Sequence, residues 1–121
     1  KKWHYVSTIK IAEKNFYYFE QGICFIGHSH LPGIFEKNKN NKMYSHDTSK
    51  LELDPDSRYI INVGSLGQPR DGNPDPVFVF YDSVSHIVEF CRFSYDLPST
   101  QQKIVACGLP SSLADRLMNG V

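Results

Sequence analysis

An excess of one charge, long apolar runs and an even set of cysteines are all missing from this sequence, and each absence closes off a class of function. Thirteen Lys and Arg balance thirteen Asp and Glu. A broad surface for a nucleic-acid polymer or an anionic membrane is therefore not expected, although a local basic site remains open. No apolar run approaches the roughly 20 residues of a membrane span, and no signal peptide is visible. Cys24, Cys91 and Cys107 are odd in number, widely spaced and set among apolar neighbours. They are expected to be buried free thiols of a cytoplasmic protein rather than a disulfide framework. Internal repeats and a domain-dividing linker are absent as well. The chain opens on Lys-Lys-Trp rather than Met, and it is expected to be part of a longer protein.

What is present suffices for a core. Hydrophobic residues make up 40% and aromatics 13% of 121 residues, which suits one soluble globular domain. Ile9, Ala12, Phe16 and Phe19 draw an apolar stripe that predicts a helix from about Ser7 to Gln21, with Ser7 or Thr8 as its cap and Gly22 as its stop. Ile23 to Ile26 is a continuous apolar run between glycines and predicts a strand buried on both faces. A second strand is expected over Gly33 to Glu36, then a polar loop or long hairpin tip through Lys50. Leu51 and Leu53 alternate with charges as on a half-buried strand, and Tyr59 to Val63 predicts another. Gln68 to Pro76 holds three prolines and predicts a rigid irregular loop. Val77 to Tyr81 and Ile87 to Tyr95 predict a hairpin around Asp82-Ser83, followed by two short helices ending near Gly108 and Gly120. Sheet and helix in contact make this an α+β chain.

Two segments carry candidate chemistry. In Gly27-His28-Ser29-His30 two histidines follow a predicted strand on a turn that Gly27 is expected to permit. Strand ends are where such sheets place ligands, and neutral imidazole is a frequent metal ligand. Alone, this spacing fits ordinary surface histidines better than a site, since two donors cannot complete one. In Asn62-Val63-Gly64-Ser65-Leu66-Gly67-Gln68-Pro69-Arg70-Asp71-Gly72 the glycines allow close backbone approach. There Arg70 offers a planar fork suited to phosphate oxygens, and it is the candidate substrate contact. The bland reading, equally weighted, is a structural turn in which Arg70 pairs with Asp71 or Asp75. The segment is not a P-loop, for it lacks the Gly-Lys-Ser/Thr ending. His4, His46 and His86 fit solvated or structural roles. A zinc site built on Cys24, His28 and His30 lacks a fourth ligand at suitable spacing.

Taken in order, the motifs resemble the C-terminal half of the calcineurin-like metallophosphoesterases, closest to the bacterial branch described as diadenosine tetraphosphatase or serine/threonine phosphatase-like. Cys24-Phe25-Ile26-Gly27-His28-Ser29-His30-Leu31-Pro32 is similar to that family's strand followed by Gly-His-Thr-His-x-Pro. Ile61 to Gly72 is similar to its Asn-Pro-Gly-Ser-Val-Gly-Gln-Pro-Arg-Asp-Gly, with Val63 in place of a proline. Tyr95-Asp96, Gly108-Leu109-Pro110 and Leu113-Ala114-Asp115-Arg116-Leu117 continue the match. The resemblance implies that residues 1–121 are the C-terminal part of one such domain, its Asp-x-His, Gly-Asp and Gly-Asn-His segments lying upstream.

It further implies metal-dependent hydrolysis of phosphomonoesters or phosphodiesters by the parent protein, nucleotides among the candidate substrates. His28 and His30 would each hold one of two divalent ions (Mn, Fe, Zn or Ni), and no general acid falls within this chain. The alternative is a non-catalytic member of the fold that binds other proteins, which intact upstream motifs would argue against. In the complete family fold, two facing sheets are flanked by helices. A chain supplying mainly the second sheet is expected to expose apolar surface and to associate with copies of itself.

Overall fold

The computed structural model describes residues 5–121; His4 lies outside them. Seven strands and three helices follow in the order α1 (Ile9–Asn15), β1 (Ile23–Ile26), β2 (Gly33–Lys37), β3 (Met43–His46), β4 (Lys50–Glu52), β5 (Arg58–Asn62), β6 (Val77–Asp82), β7 (Ile87–Arg92), α2 (Leu97–Ala106) and α3 (Ser111–Asn119). The strands form two sheets, β1-β5-β2-β3 and β4-β7-β6. Only β1 and β5 run parallel; β2 is antiparallel to both its neighbours, and the second sheet is antiparallel throughout.

Period-two alternation builds the layers. In β5, Tyr59 and Ile61 face one way and pack with Ile34, Leu53 and Val88, joined by Leu51, Val79 and Phe90. That is the core between the two sheets. Ile60 faces the other way, into a cluster with Phe35, Val6, Ala12 and Phe16 of the N-terminal helical segment. The four-stranded sheet is therefore the middle layer, with α1 on one side and the second sheet on the other.

The strand buried on both faces is β5 and not β1. The expectation placed on Ile23–Ile26 fails at Phe25, which is 45% exposed and reaches only the ring of Tyr81. β1 pairs with β5 alone, so an apolar run marks a strand but not its rank in the sheet. The polar stretch after Lys37 is a hairpin tip. Asn38 closes it by accepting from the backbone N–H of Asn40 and of Lys42, both at 3.0 Å, and β3 returns beside β2.

The first helix is shorter than its apolar stripe suggested. Thr8 caps it, but regular α-helix ends at Asn15 and a 3-10 turn follows over Phe16–Tyr18. Arg58, at the start of β5, explains where the turn stops. Its Nη2 donates to the carbonyls of Phe16 (3.1 Å) and Phe19, and its guanidinium lies over the Phe19 ring, 4.8 Å from the centroid. The Phe19 carbonyl lies past the last helical turn and lacks an intrahelical donor, and the cation supplies one there.

The thiols are not uniformly buried as expected. Cys24 and Cys91 are half-buried, Cys107 is exposed just past α2, and no disulfide links them. Burial pushes the Cys24 thiol up from its ordinary value. α2 and α3 pack on each other, with Gln101 Nε2 donating to the Ala114 carbonyl at 2.8 Å. The end of α3 docks on the proline-rich loop, where Gly72 N–H donates to the Gly120 carbonyl at 3.0 Å. Gly120 is left-handed, and a Cβ there would lie 2.7 Å from the Asn73 backbone nitrogen. Among the described residues no helix is long and apolar enough to cross a membrane.

Arg58→Met should keep the aliphatic packing and orphan the Phe16 and Phe19 carbonyls. We expect a loss of about 1–3 kcal/mol in urea unfolding; an unchanged midpoint would show that the helix end does not depend on this guanidinium.

Candidate functional site

The parallel register of β1 and β5 decides where the two notable segments meet. Ile26 is paired with Asn62, so both strands end at the same level. Val63 N–H donates to the Ile26 carbonyl at 2.9 Å, closing the ladder. Gly27-His28-Ser29-His30 and Asn62-Val63-Gly64-Ser65 therefore leave the sheet side by side.

The turn after β1 is made by the histidines themselves. His28 has φ 74° and His30 φ 61°, whereas Gly27 is not left-handed. The expectation that Gly27 permits the turn is corrected: the left-handed steps fall on the two imidazole-bearing residues. Histidine occupies this region more readily than most side chains, at a cost of order 1 kcal/mol each. Ser29 between them is buried at 4% exposure, and Asn62 is buried completely. Asn62 Nδ2 donates to Ser29 Oγ, which also accepts from Leu31 N–H at 3.3 Å. Asn62 Oδ1 accepts from Gly64 N–H at 3.2 Å. One buried amide thus ties both turns together. Gly64, φ 76°, lies where a Cβ would meet Val77 Cγ1 at 2.3 Å.

The irregular loop returns to the same turn. His30 Nδ1 is 2.8 Å from the Gln68 carbonyl. A carbonyl only accepts, so Nδ1 carries the proton and Nε2 presents its lone pair. The His30 carbonyl accepts from Arg70 N–H at 3.2 Å. His28 stacks on Tyr5, ring centroids 4.6 Å apart and planes within 15°. Both histidines line a cavity of about 480 Å³ with Val63, Gly64, Ser65 and Leu66. Arg70 lies on the far side of the turn, in a separate cavity of about 380 Å³ with Tyr5, Ser29 and Leu31.

Arg70 pairs with neither Asp71 nor Asp75. Asp71 is held instead by Arg92, whose Nη1 donates to the Asp75 carbonyl at 2.8 Å. A larger cavity, about 600 Å³, surrounds that ion pair and His46. Arg92 and Asp71 are matched to each other there, and His46 Nε2 is 2.7 Å from Glu36 Oε2, while Asp47 lines it without an ion pair among the described residues. His46 is therefore on a strand and paired, not solvated in a loop. His86 lies at the β6–β7 turn, its Nδ1 3.4 Å from the Tyr81 hydroxyl.

The donor chemistry at His30 fits a metal ligand, since ligating imidazoles commonly give their second N–H to a carbonyl. The described residues supply no group of three or more His, Cys, Asp or Glu able to hold an ion, so a metal at these two histidines would need further ligands. Cys24 faces the α1 side of the sheet, away from these histidines.

The crystal structure of a metallophosphoesterase from Sphaerobacter thermophilus superposes on 98% of this chain with a TM-score of 0.88 at 35% sequence identity. The chain carries part of a metallophosphoesterase fold. It accounts for 51% of that solved chain. An uncharacterized protein of Methanocaldococcus jannaschii is 38% identical over 98 residues, which make up 81% of this chain and 39% of the relative. The chain thus spans about half and about two fifths, respectively, of these two longer proteins. No family model matches it. Within the metallophosphoesterase fold the likeness supports the calcineurin-like superfamily that the motif series resembles.

Sequence reading placed Asn62 and Gln68 inside the glycine-rich segment without giving either a partner. Their partners, Ser29 and the His30 ring, became visible with the parallel register. Tyr5 carried no signal at all. Asn62→Ala should unfold in about 1–3 kcal/mol less urea-extrapolated free energy than wild type, because Gly64 N–H is left without its acceptor. Thr48→Ala, at an exposed turn, should stay within about 0.5 kcal/mol; equal effects would remove Asn62 from this role.

Proposed function

We propose that the protein containing this chain hydrolyses phosphate esters with two divalent metal ions, and that His28 and His30 each donate an imidazole nitrogen to that centre. The observation that carries this reading is the commitment of His30 Nδ1 to the Gln68 carbonyl, which leaves Nε2 as the donor nitrogen of the neutral ring beside an open cavity. The likeness to a metallophosphoesterase over nearly the whole chain supports it.

The chain's own residues prepare the site in three ways. The left-handed steps at His28 and His30 turn both rings off the end of β1. The Asn62–Ser29 bond holds that turn without drawing on either imidazole, and the Gln68 carbonyl fixes the tautomer of His30. When bound, divalent ions such as manganese, iron, zinc or nickel supply Lewis acidity and a water acidified enough to attack phosphorus. The remaining ligands and the proton donor to the leaving group belong to residues beyond those described. The Gly-Gln-Pro-Arg-Asp-Gly run also supports the narrower diadenosine tetraphosphatase-like branch, with nucleotides as the substrate class to test first.

Elemental analysis of the full-length protein, purified without chelator, should give about two metal ions per chain. His28→Gly and His30→Gly remove each ligand while glycine accepts the left-handed backbone. Each should lower metal content and reduce hydrolysis of p-nitrophenyl phosphate or its diester by at least about 100-fold. Undiminished, metal-dependent hydrolysis in the double variant would sink the reading.

A further inference from the structure

Arg70 differs from the other arginines of this chain in what surrounds its charge. Arg92 is neutralised by Asp71 and bonded to the Asp75 carbonyl. Arg58 is surrounded by three carbonyls and two aromatic rings. Arg116 donates Nε to the Val121 carbonyl. Arg70, half-buried, makes a single side-chain bond, Nη2 to Gln68 Oε1 at 3.1 Å, and no ion pair among the described residues. Residues 1–4 carry no acidic side chain. Its Nε is buried and has no hydrogen-bond partner among the described residues.

A guanidinium taken partly out of water without a counter-charge is costly, and the adjacent acid that would relieve it has gone to Arg92. The fork is nevertheless held in place. Gln68 accepts from it through Oε1, gives Nε2 to the Val121 carbonyl at 3.4 Å, and receives the His30 ring on its backbone carbonyl. A neutral amide orients the cation without cancelling its charge. The cavity it lines has Tyr5, Leu31 and Val121 as apolar walls and Ser7 and Ser29 as polar ones. At about 380 Å³ it falls within the range of small-molecule sites.

The geometry points to an organic-phosphate site at Arg70, separate from the histidine cavity, that takes the phosphate on the guanidinium fork and an apolar or aromatic body against Tyr5, Leu31 and Val121. Planar guanidinium matches two phosphate oxygens at once. The inference goes beyond metal-dependent hydrolysis and does not rest on it, because no metal ligand takes part.

Calorimetric titration of the full-length protein with phenyl phosphate, in chelator, tests it. Wild type should bind saturably, and more tightly than it binds inorganic phosphate or benzoate. Arg70→Gln should bind at least about 10-fold more weakly, the loss of one charge-assisted hydrogen-bonded contact. Lys39→Gln, which removes an exposed cation at the β2–β3 hairpin tip, should bind within about twofold of wild type. If Arg70→Gln fails to fold by circular dichroism, Arg70→Lys replaces it; keeping the charge but losing the fork, it should bind several-fold more weakly. Absence of saturable binding, equal binding by the Arg70 variant, equal affinity for benzoate, or an equal loss in Lys39→Gln would each overturn the assignment. A failed metal experiment would leave this result standing, and the reverse also holds.

Discussion

The parallel ladder between β1 and β5 is the constraint on which the rest of the site depends. Antiparallel neighbours would send the two strand ends to opposite edges of the sheet. Parallel neighbours in the register Ile26 to Asn62 deliver two turns, joined by a contact 33 residues apart in sequence, to one place. The cost of bringing them together is met by burial along β5, which is covered on one face by α1 and on the other by the second sheet. Such two-sided burial is what keeps a parallel pair stable. The position of His28 and His30 is therefore a consequence of core packing some distance from either ring.

Within that frame the site is organised by neutral groups. Asn62 and Gln68 are uncharged, yet together they engage Ser29, Gly64, His30 and Arg70. A carboxylate at either position would supply the same acceptors and also lower the charge available to a ligand. Amides orient without neutralising. At the opposite side of the loop the reverse device is used, where Asp71 fully engages Arg92 and pins the loop to β7. Charges thus anchor the loop on one side, and amides hold the functional groups on the other.

Much of the fold was legible because its signals are local. Apolar runs located β1 and β5, alternation located β4, and the Asp82-Ser83 turn located the β6–β7 hairpin. Left-handed glycines marked the ends of the last two helices. What the sequence could not carry was long-range. The apolar run Ile23–Ile26 reads as doubly buried, yet the strand that receives cover on both faces is Tyr59–Ile61, and this depends on pairing order. The helix stripe extended to Phe19, but the carbonyls that end the helix answer to Arg58, some forty residues on. Similarly, the histidine motif was visible by spacing and by resemblance. Its backbone geometry was not, because left-handed conformations fell on His28 and His30 where Gly27 was the natural candidate.

The same distinction governs the charges. A formal charge of zero argues against a broad basic surface, but net charge is silent on individual pairings. Sequence proximity made Asp71 the obvious partner for Arg70, since adjacent residues need no loop closure to meet. In a strand-like or irregular segment, however, adjacent side chains point apart, and a partner across the fold competes on equal terms. Arg92 enters this competition from β7 with two acceptors aligned, Asp71 and the Asp75 carbonyl, so one guanidinium satisfies both the acid and the loop backbone. Arg70 is left with an amide. A cation without a counter-charge among the described residues is thus the by-product of a better structural pairing elsewhere, and it lies on the same loop that bonds the His30 ring.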